Sequence, residues 1–339
     1  MVSRTARSIG AVLVAMSLLS ACAGSDTAAT DGGTGVTSAG PWTYTDSAGT
    51  TVDLDETPTR IIAHAYAAAA LMSFGIEPIA IYADGPIKDD VGLQGVDLDG
   101  IEVIGEEWGK IDVERAAALR PDLIVADYWP AEEAHSGMED GVEEKSKKLA
   151  ELAPVVGPAQ GDSIVELIEG YETLAASLGA DVDGGDASAA RADFEAARDA
   201  FREAAEAKPG LTALAISPFG DAYYMAVPKY APELLDMQSW GLDVIDPAKP
   251  DKGFPYWQTL SFEQADSYQP DLLLFDDRNY PTNLETLEAQ PIANSIRAFE
   301  AGAYTTWPAY WLHTYEDYAR SLRELTEAIE AADPDVGDR

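Results

Sequence analysis

One pattern occurs twice in this sequence and limits the possible folds more than any other feature. VERAAALRPDLIVADYW (residues 113–129) and FEQADSYQPDLLLFDDRN (residues 262–279) each combine a short helical segment, a proline, Asp-Leu, an apolar strand and a final aspartate. Pro121 and Pro270 are 149 residues apart, and the glutamates near the start of the two segments have the same separation. Because 339 residues are too many for one ordinary core, the repeat predicts two lobes built to the same plan.

Strands and helices alternate around both copies of the pattern. The apolar runs lack polar alternation, which is typical of parallel strands that are covered on both faces. We predict strands at residues 60–65, 78–84 and 122–129 in the first half, and at residues 211–217 and 271–279 in the second. The predicted fold class is therefore α/β, with two Rossmann-like lobes.

Two helices separate the halves. The first, from Ser163 to Leu178, begins with a hydroxyl cap and ends at a glycine. The second is predicted from Ala187 to Ala207, with Asp186 as its cap, and at 1.5 Å per residue it is roughly 30 Å long. We expect this single rigid helix to join the lobes, with a ligand cleft between them. Its apolar stripe consists of Phe194, Ala197, Phe201 and Ala204.

The amino terminus has the pattern of an export signal. Arg4 and Arg7 precede a short apolar stretch, and Leu-Ser-Ala before Cys22 resembles the lipobox of bacterial lipoproteins. Cys22 is the only cysteine and has no internal disulfide partner, while the apolar stretch is shorter than the roughly 20 residues of a spanning helix. We expect acylation of Cys22 and an extracytoplasmic protein anchored by lipid to the outer face of the cell membrane. An ordinary signal peptide with an incidental cysteine is the alternative.

These features together divide the chain into five predicted regions. They are a signal peptide with lipobox (1–22), a flexible tether (23–41), an amino-terminal α/β lobe (42–185), the linking helix (186–208) and a carboxyl-terminal α/β lobe (209–339).

The charge of the chain excludes one class of partner. There are 22 Lys+Arg and 60 Asp+Glu residues, which give a net charge of −38 at pH 7. Such a surface repels phosphate backbones, so we expect no nucleic-acid partner, and it disfavours strongly anionic ligands.

The lipobox, the long helix and the doubled Glu-x6-Pro-Asp-Leu pattern resemble one family over most of the chain. This family comprises the solute-binding proteins for iron siderophores, haem and vitamin B12. The resemblance implies two α/β lobes bridged by a rigid helix, no enzymatic activity, and delivery of ligand to a transmembrane ABC permease driven by a cytoplasmic ATPase. We also expect a monomer.

The resemblance also implies a role for the repeated glutamates in docking to the permease. In the family, one glutamate from each lobe meets arginines of the permease, and the matching positions here are Glu114 and Glu263. Carboxylate–arginine pairs are directional, so one carboxylate per lobe would set the register of docking. The alternative is a pair of solvated glutamates favoured by the positive end of a helix.

Ligands of open α/β sheets bind beyond the carboxyl ends of the strands, so the residues that follow the predicted strands are the expected cleft residues. Many are aromatic and occur in loops, and such walls suit large, flat, partly apolar chelates. Trp108 is included because Trp108-Gly109 matches a Trp-Gly of the vitamin B12 members. For each aromatic residue, packing in the core or at the rim is the alternative. The expected cleft residues are His64, Tyr66, Tyr82, Trp108, Tyr128, Trp129, Phe219, Tyr223, Tyr224, Tyr256, Trp257 and Arg278.

Charge favours one cargo. A ferric catecholate carries several negative charges and needs a basic pocket, whereas the loops here offer Arg278, with Lys110 and Lys229 as further candidates, beside several carboxylates. Ferric hydroxamates are near neutral or weakly cationic, so an Fe(III)–siderophore complex of the hydroxamate type is the expected ligand. Vitamin B12 is an alternative, as is haem with His64 or Tyr66 as its axial ligand.

A free metal ion is a further alternative, because importers of zinc or manganese use histidines. The three histidines are His64, His135 and His313, and no HxH or HExxH spacing occurs. We therefore expect structural or surface histidines, no metal site and no intrinsic cofactor.

Two alternatives belong to other functional classes. A secreted carboxylate-dependent hydrolase also has paired carboxylates and aromatic clefts, but the sequence contains no G-x-S-x-G or Walker motif. A lipoprotein that presents its ligand to a signalling receptor would use the same two-lobed clamp.

Overall fold

The computed structural model describes residues 40–338. Cys22, the predicted site of lipidation, and most of the predicted tether lie outside this range. Within it, every helix is too short or too polar to cross a membrane.

The strands of the described chain are numbered in sequence order. They are β1 (Trp42–Thr45), β2 (Thr51–Leu54), β3 (Ile61–His64), β4 (Ala80–Ala83), β5 (Glu102–Glu106), β6 (Leu123–Val125), β7 (Tyr128–Trp129), β8 (Ala134–His135), β9 (Val155–Val156), β10 (Thr212–Phe219), β11 (Ala222–Ala226), β12 (Asp243–Val244), β13 (Trp257–Ser261), β14 (Leu272–Asp276) and β15 (Tyr304–Trp307).

The α-helices are α1 (Ala65–Ser73), α2 (Val113–Leu119), α3 (Glu144–Lys147), α4 (Ile164–Ser177), α5 (Gly185–Ala207), α6 (Pro232–Ser239), α7 (Thr282–Glu288), α8 (Arg297–Glu300) and α9 (Tyr315–Ala331). Short 3₁₀ helices cover Ile87–Asp89, Val91–Leu93, Lys148–Glu151, Pro228–Tyr230, Phe262–Ser267, Asp277–Asn279 and Ala293–Ser295.

The amino-terminal lobe is built on a parallel sheet with the strand order β5-β4-β3-β6-β9. Strands β3, β4 and β6 are buried along their whole length, which explains their uninterrupted apolar sequences. Alternate residues enter different cores: Ile61 packs with α1 and α4, whereas Ile62 packs with Ala116 of α2 on the other face. The two faces are therefore both covered, as the sequence predicts.

The carboxyl-terminal lobe has a mixed sheet, with the order β13-β11-β10-β14-β15 and β12 beside β10. Strands β10, β12, β14 and β15 are parallel, but β11 is antiparallel to both β10 and β13. The sequence predicts β10 and β14, which are parallel to each other, but not the antiparallel strand β11. A tight turn causes the difference, because Gly220 has φ +60° and lets the chain reverse between Phe219 and Ala222.

The linking helix α5 has 23 residues and is about 35 Å long. It begins at Gly185, and Gly184 occupies the cap position without a side-chain hydrogen bond. Asp186 therefore lies in the first turn and is not the cap, contrary to the prediction from the sequence. Helix α9 packs along α5, with the rings of Phe194 and Tyr318 stacked at 5.1 Å.

The largest apolar core is continuous between the lobes. It contains Leu123 of the first sheet, Tyr171 of α4, Phe201 of α5, Leu274 of the second sheet and Leu322 of α9. The predicted fold class, two α/β lobes joined by one long helix, is confirmed. The exact limits of the five predicted regions remain predictions.

Candidate ligand-binding cleft

The two lobes enclose an open cleft of about 1070 Å³. On the amino-terminal side its walls are the segments that follow β3, β4, β5 and β6. On the carboxyl-terminal side they are the loop leading into β13, the turn after β14 and the segment after β15. The cleft thus lies where ligands of open α/β sheets are expected.

Seven of the twelve expected cleft residues line this cleft, and five do not. Those in the wall are His64, Tyr66, Trp108, Trp129, Tyr256, Trp257 and Arg278. Those outside the wall are Tyr82, Tyr128, Phe219, Tyr223 and Tyr224.

Two of the five tyrosines and phenylalanines outside the wall belong to the cores of their lobes. Tyr82 is buried behind His64, with the ring centroids 5.4 Å apart, and its hydroxyl donates to the Ser136 carbonyl at 2.7 Å. Tyr223 is fully buried beside Phe262 in the second core of the carboxyl-terminal lobe. Both residues point to the face of the strand that the helices cover.

The other three are partly buried or exposed. Tyr128 packs on the ring of His135 at 5.3 Å, and Tyr224 packs against the back of Trp257 at 6.4 Å. Phe219 is 55 % exposed at the β10–β11 turn. Position at a strand end was not enough to bring these rings into the wall.

His64 and Asp84 form an ion pair at the floor of the cleft, with 3.3 Å between Nε2 and Oδ2. Burial acts to lower the pKa of His64, but the carboxylates of Asp84, Asp127 and Glu139 outweigh burial and raise it. Burial acts to raise the pKa of Asp84, and His64 outweighs this and lowers it. Each partner therefore favours the charged form of the other.

Tyr66 is fixed beside this pair by a carboxylate of the neighbouring loop. Its hydroxyl donates to Asp90 at 3.1 Å, and burial together with the Asp90 charge raises its pKa far above the usual range. Gly92 lies against the ring, because a Cβ there would be 2.9 Å from Cε1 of Tyr66. The loop can approach the tyrosine this closely only with glycine at that position.

Asp127 and His313 join the lobes at the back of the cleft. His313 Nε2 lies 2.7 Å from Asp127 Oδ2, and both side chains are 1 % exposed. Gln160 also donates to Asp127, at 3.0 Å. The hydroxyl of Tyr171 donates to the other oxygen of the same carboxylate. The sequence does not indicate this pairing, because the two residues are 186 positions apart.

The carboxyl-terminal wall centres on Arg278. Asp276 accepts from its Nε at 3.0 Å and from its Nη2 at 2.6 Å, and the guanidinium lies 5.2 Å from the ring centroid of Tyr310. Tyr310, which the sequence analysis missed, has φ 64° and donates its backbone N–H to Glu233 at 2.8 Å. Tyr256 donates to Glu132 of the other lobe at 3.0 Å. These contacts hold the arginine and the aromatic rings in fixed positions.

The described part of the cleft wall carries seven carboxylates and one arginine. Several carboxylates beside Arg278 were expected from the sequence. The carboxylates are Asp84, Asp89, Asp90, Asp127, Glu132, Glu139 and Asp140.

Glu114 and Glu263 are exposed and lie outside the cleft. Glu114 is in the first turn of α2, and Glu263 is in the first turn of the 3₁₀ helix Phe262–Ser267. A hydrogen bond from the Ser261 side chain lowers the pKa of Glu263. A separate surface groove of about 690 Å³ runs beside Glu114 and is bordered by Lys110 and Lys148.

The three histidines each have a carboxylate partner of their own: Asp84 for His64, Asp46 for His135 and Asp127 for His313. Residues 40–338 contain no group of three or more His, Cys, Asp or Glu side chains that could hold a metal ion.

This architecture is similar to that of known proteins. The family model described as periplasmic binding protein matches residues 103–310. DesE, a ferric-siderophore receptor protein from Streptomyces coelicolor, has 31% sequence identity and a TM-score of 0.77, with 86% of this chain and 99% of that chain covered. The search of curated proteins found no match.

Two further structures are similar in fold. FhuD2 from Staphylococcus aureus with bound ferrioxamine B has 18% identity, a TM-score of 0.56 and coverage of 80% of this chain and 98% of that chain. The siderophore periplasmic binding protein from the fuscachelin gene cluster of Thermobifida fusca has 19% identity, a TM-score of 0.59 and coverage of 80% and 96%.

The chain belongs to the periplasmic binding protein family, and it resembles the siderophore-binding members of that family. The family binds solutes and is not enzymatic, so the alternative of a secreted hydrolase is excluded.

Proposed function

We propose that this protein captures a ferric siderophore, of the hydroxamate type, outside the cytoplasm and delivers it to the permease of an ABC importer. The observation that carries the proposal is the cleft between the lobes, with aromatic rings from both lobes around a fixed arginine. The similarity to the ferric-siderophore receptor DesE supports the same role.

The wall of the cleft matches the chemistry of an iron chelate. Trp108, Trp129, Tyr256 and Trp257 offer flat apolar surface to the ligand's methylene arms. Arg278 is positioned to donate to the anionic oxygens around the metal. The volume, about 1070 Å³, lies at the upper end of the range for small-molecule pockets, as a siderophore requires.

The charge of the wall distinguishes between siderophore classes. A ferric catecholate with several negative charges would meet seven carboxylates and only one arginine among the described cleft residues. A ferric hydroxamate is neutral or weakly cationic and avoids this repulsion. The FhuD2 structure holds such a ligand, ferrioxamine B.

Delivery would use the two lobes together. Glu114 and Glu263 are exposed, one on each lobe, and would pair with arginines of the permease. Acylation of Cys22 would hold the protein at the outer face of the membrane. The core shared by the lobes limits closure around the ligand to a modest movement.

Titration of the protein from Trp42 onward, followed by intrinsic tryptophan fluorescence, tests the cargo. The panel is a ferric hydroxamate, a ferric catecholate, cobalamin, haemin and zinc. We expect saturable quenching by the hydroxamate complex and none by its iron-free form. Binding of cobalamin or haemin alone would show that the cargo is not a siderophore. If no ligand of the panel binds, the proposal is refuted.

Uptake of radioactive iron tests delivery. The double change Glu114→Arg and Glu263→Arg should abolish uptake while leaving chelate binding intact, whereas the same change at exposed Glu195 and Glu203 of α5 should leave both unaffected. Normal uptake by the first variant would contradict the docking role of the two glutamates.

A further inference from the structure

Charge is segregated across the cleft. All seven carboxylates of the described wall come from the amino-terminal lobe, in the segments 84–90 and 127–140. The carboxyl-terminal lobe contributes Arg278 together with neutral and aromatic residues. A ligand between the lobes therefore lies between a wall of carboxylates and an opposite wall in which Arg278 is paired with Asp276.

Several of these carboxylates have no cation of their own. Asp84 and Asp127 are paired with histidines, but Glu132, Glu139 and Asp140 make no ion pair with any described residue. Glu139 is 8 % exposed, and burial together with the charge of Asp84 raises its pKa. A cation placed in the cleft would relieve the repulsion within this wall.

The opposite wall has an unused hydrogen-bonding group. Tyr310 is 8 % exposed and lines the cleft, and its hydroxyl has no hydrogen-bond partner within residues 40–338. A buried hydroxyl without a partner is costly, so an acceptor on the ligand would satisfy it. The hydroxyl and Arg278 together form the polar centre of the carboxyl-terminal wall.

We propose that the amino-terminal wall selects chelates that carry a pendant ammonium group and orients them in the cleft. The anionic oxygens around the metal face Arg278 and Tyr310, and the ammonium faces the carboxylates of the segments 84–90 and 127–140. This inference rests on the proposed function, since it assigns the direction in which a ferric hydroxamate lies.

A matched pair of ligands tests the inference. Ferrioxamine B has a terminal ammonium group, and its N-acetylated form has the same ferric centre without the charge. We expect the ammonium form to bind roughly fivefold to tenfold more tightly at low salt, with the preference falling towards one at high salt. Binding is measured by tryptophan fluorescence on the intact folded protein.

A triple variant locates the effect. The changes Asp89→Asn, Glu132→Gln and Asp140→Asn remove three exposed carboxylates from the wall, and they should reduce the preference for the ammonium form to about one. The control changes Glu195→Gln, Glu203→Gln and Glu206→Gln alter net charge equally on the exposed face of α5 and should preserve the preference.

The outcomes separate the inference from the function on which it rests. If neither chelate binds, the proposed function fails. Equal affinity of the unmodified protein for both chelates overturns the inference alone, as does a preference that survives in the triple variant. Loss of the preference in the α5 control also overturns it, because net charge would then explain the selection.

Discussion

Replacing Asp127 with asparagine preserves the shape of the side chain but leaves His313 buried without its charged partner. Both side chains are 1 % exposed and lie 2.7 Å apart, so solvent screens the pair very little. Removing the charged acceptor of a buried hydrogen bond leaves its donor poorly satisfied, which costs about 1–3 kcal/mol or more. We expect Asp127→Asn to lower the free energy of unfolding at pH 7 by about 3 kcal/mol.

The effect should depend on pH in a defined direction. Burial acts to raise the pKa of Asp127, but His313, Tyr171 and Gln160 outweigh it and lower the pKa from 3.8 to about 2. A carboxyl group with a lowered pKa stabilises the folded state above its unfolded pKa, and this contribution is lost as the pH falls from 3.8 through 2. At about 1.4 kcal/mol for each pH unit, the contribution is about 2 kcal/mol.

Urea unfolding followed by circular dichroism measures both effects. The difference between the unmodified protein and Asp127→Asn should be constant from pH 7 to pH 5 and should shrink below pH 4. Asp99→Asn, at an exposed position, is the matched control and should have little effect at any pH. A loss of less than 1 kcal/mol at pH 7, or a difference that stays constant down to pH 3, would refute the reasoning.

Three other changes probe the cleft and its support. Burial raises the pKa of Glu233 to about 8, so stability is lost as the pH rises from 4.5 towards 8. Urea unfolding should show Glu233→Gln gaining up to about 5 kcal/mol over the unmodified protein at pH 9 but little at pH 5. Gly92→Ala places a Cβ 2.9 Å from Tyr66 and 3.1 Å from Trp311. Calorimetry should therefore show a loss of about 1–3 kcal/mol in the free energy of unfolding. An unchanged melting temperature would contradict the close contact between Gly92 and these rings. Trp129→Phe should reduce the quenching that a bound chelate causes in a fluorescence titration, because Trp129 lines the cleft. Unchanged quenching would show that the ligand does not lie against Trp129.

Local sequence patterns are sufficient to predict the fold because the determinants of the fold are local. The apolar runs predict the buried parallel strands, the hydroxyl of Ser163 caps α4 as expected, and the repeat predicts two lobes. The antiparallel strand β11 was missed because Gly220 reverses the chain within two residues. That reversal has no periodic pattern and depends on one backbone conformation.

The site is only partly predictable for a geometric reason. Adjacent residues of a strand point to opposite faces of the sheet. Tyr223 therefore lies in a core, while Tyr224 packs against Trp257. The sequence alone does not determine which ring reaches the cleft. The pairing of Asp127 with His313 spans 186 residues. Such contacts form only when the two lobes are assembled, and no local pattern indicates them.

The core that passes without interruption through α4, α5, α6 and α9 has a consequence for cooperativity. Lobes with separate cores would melt independently, whereas lobes that share one core should unfold in a single two-state transition. Occupation of the cleft would then raise the melting temperature of the whole molecule by mass action. A simple thermal shift could therefore report cargo binding even for a chelate that does not change the tryptophan emission.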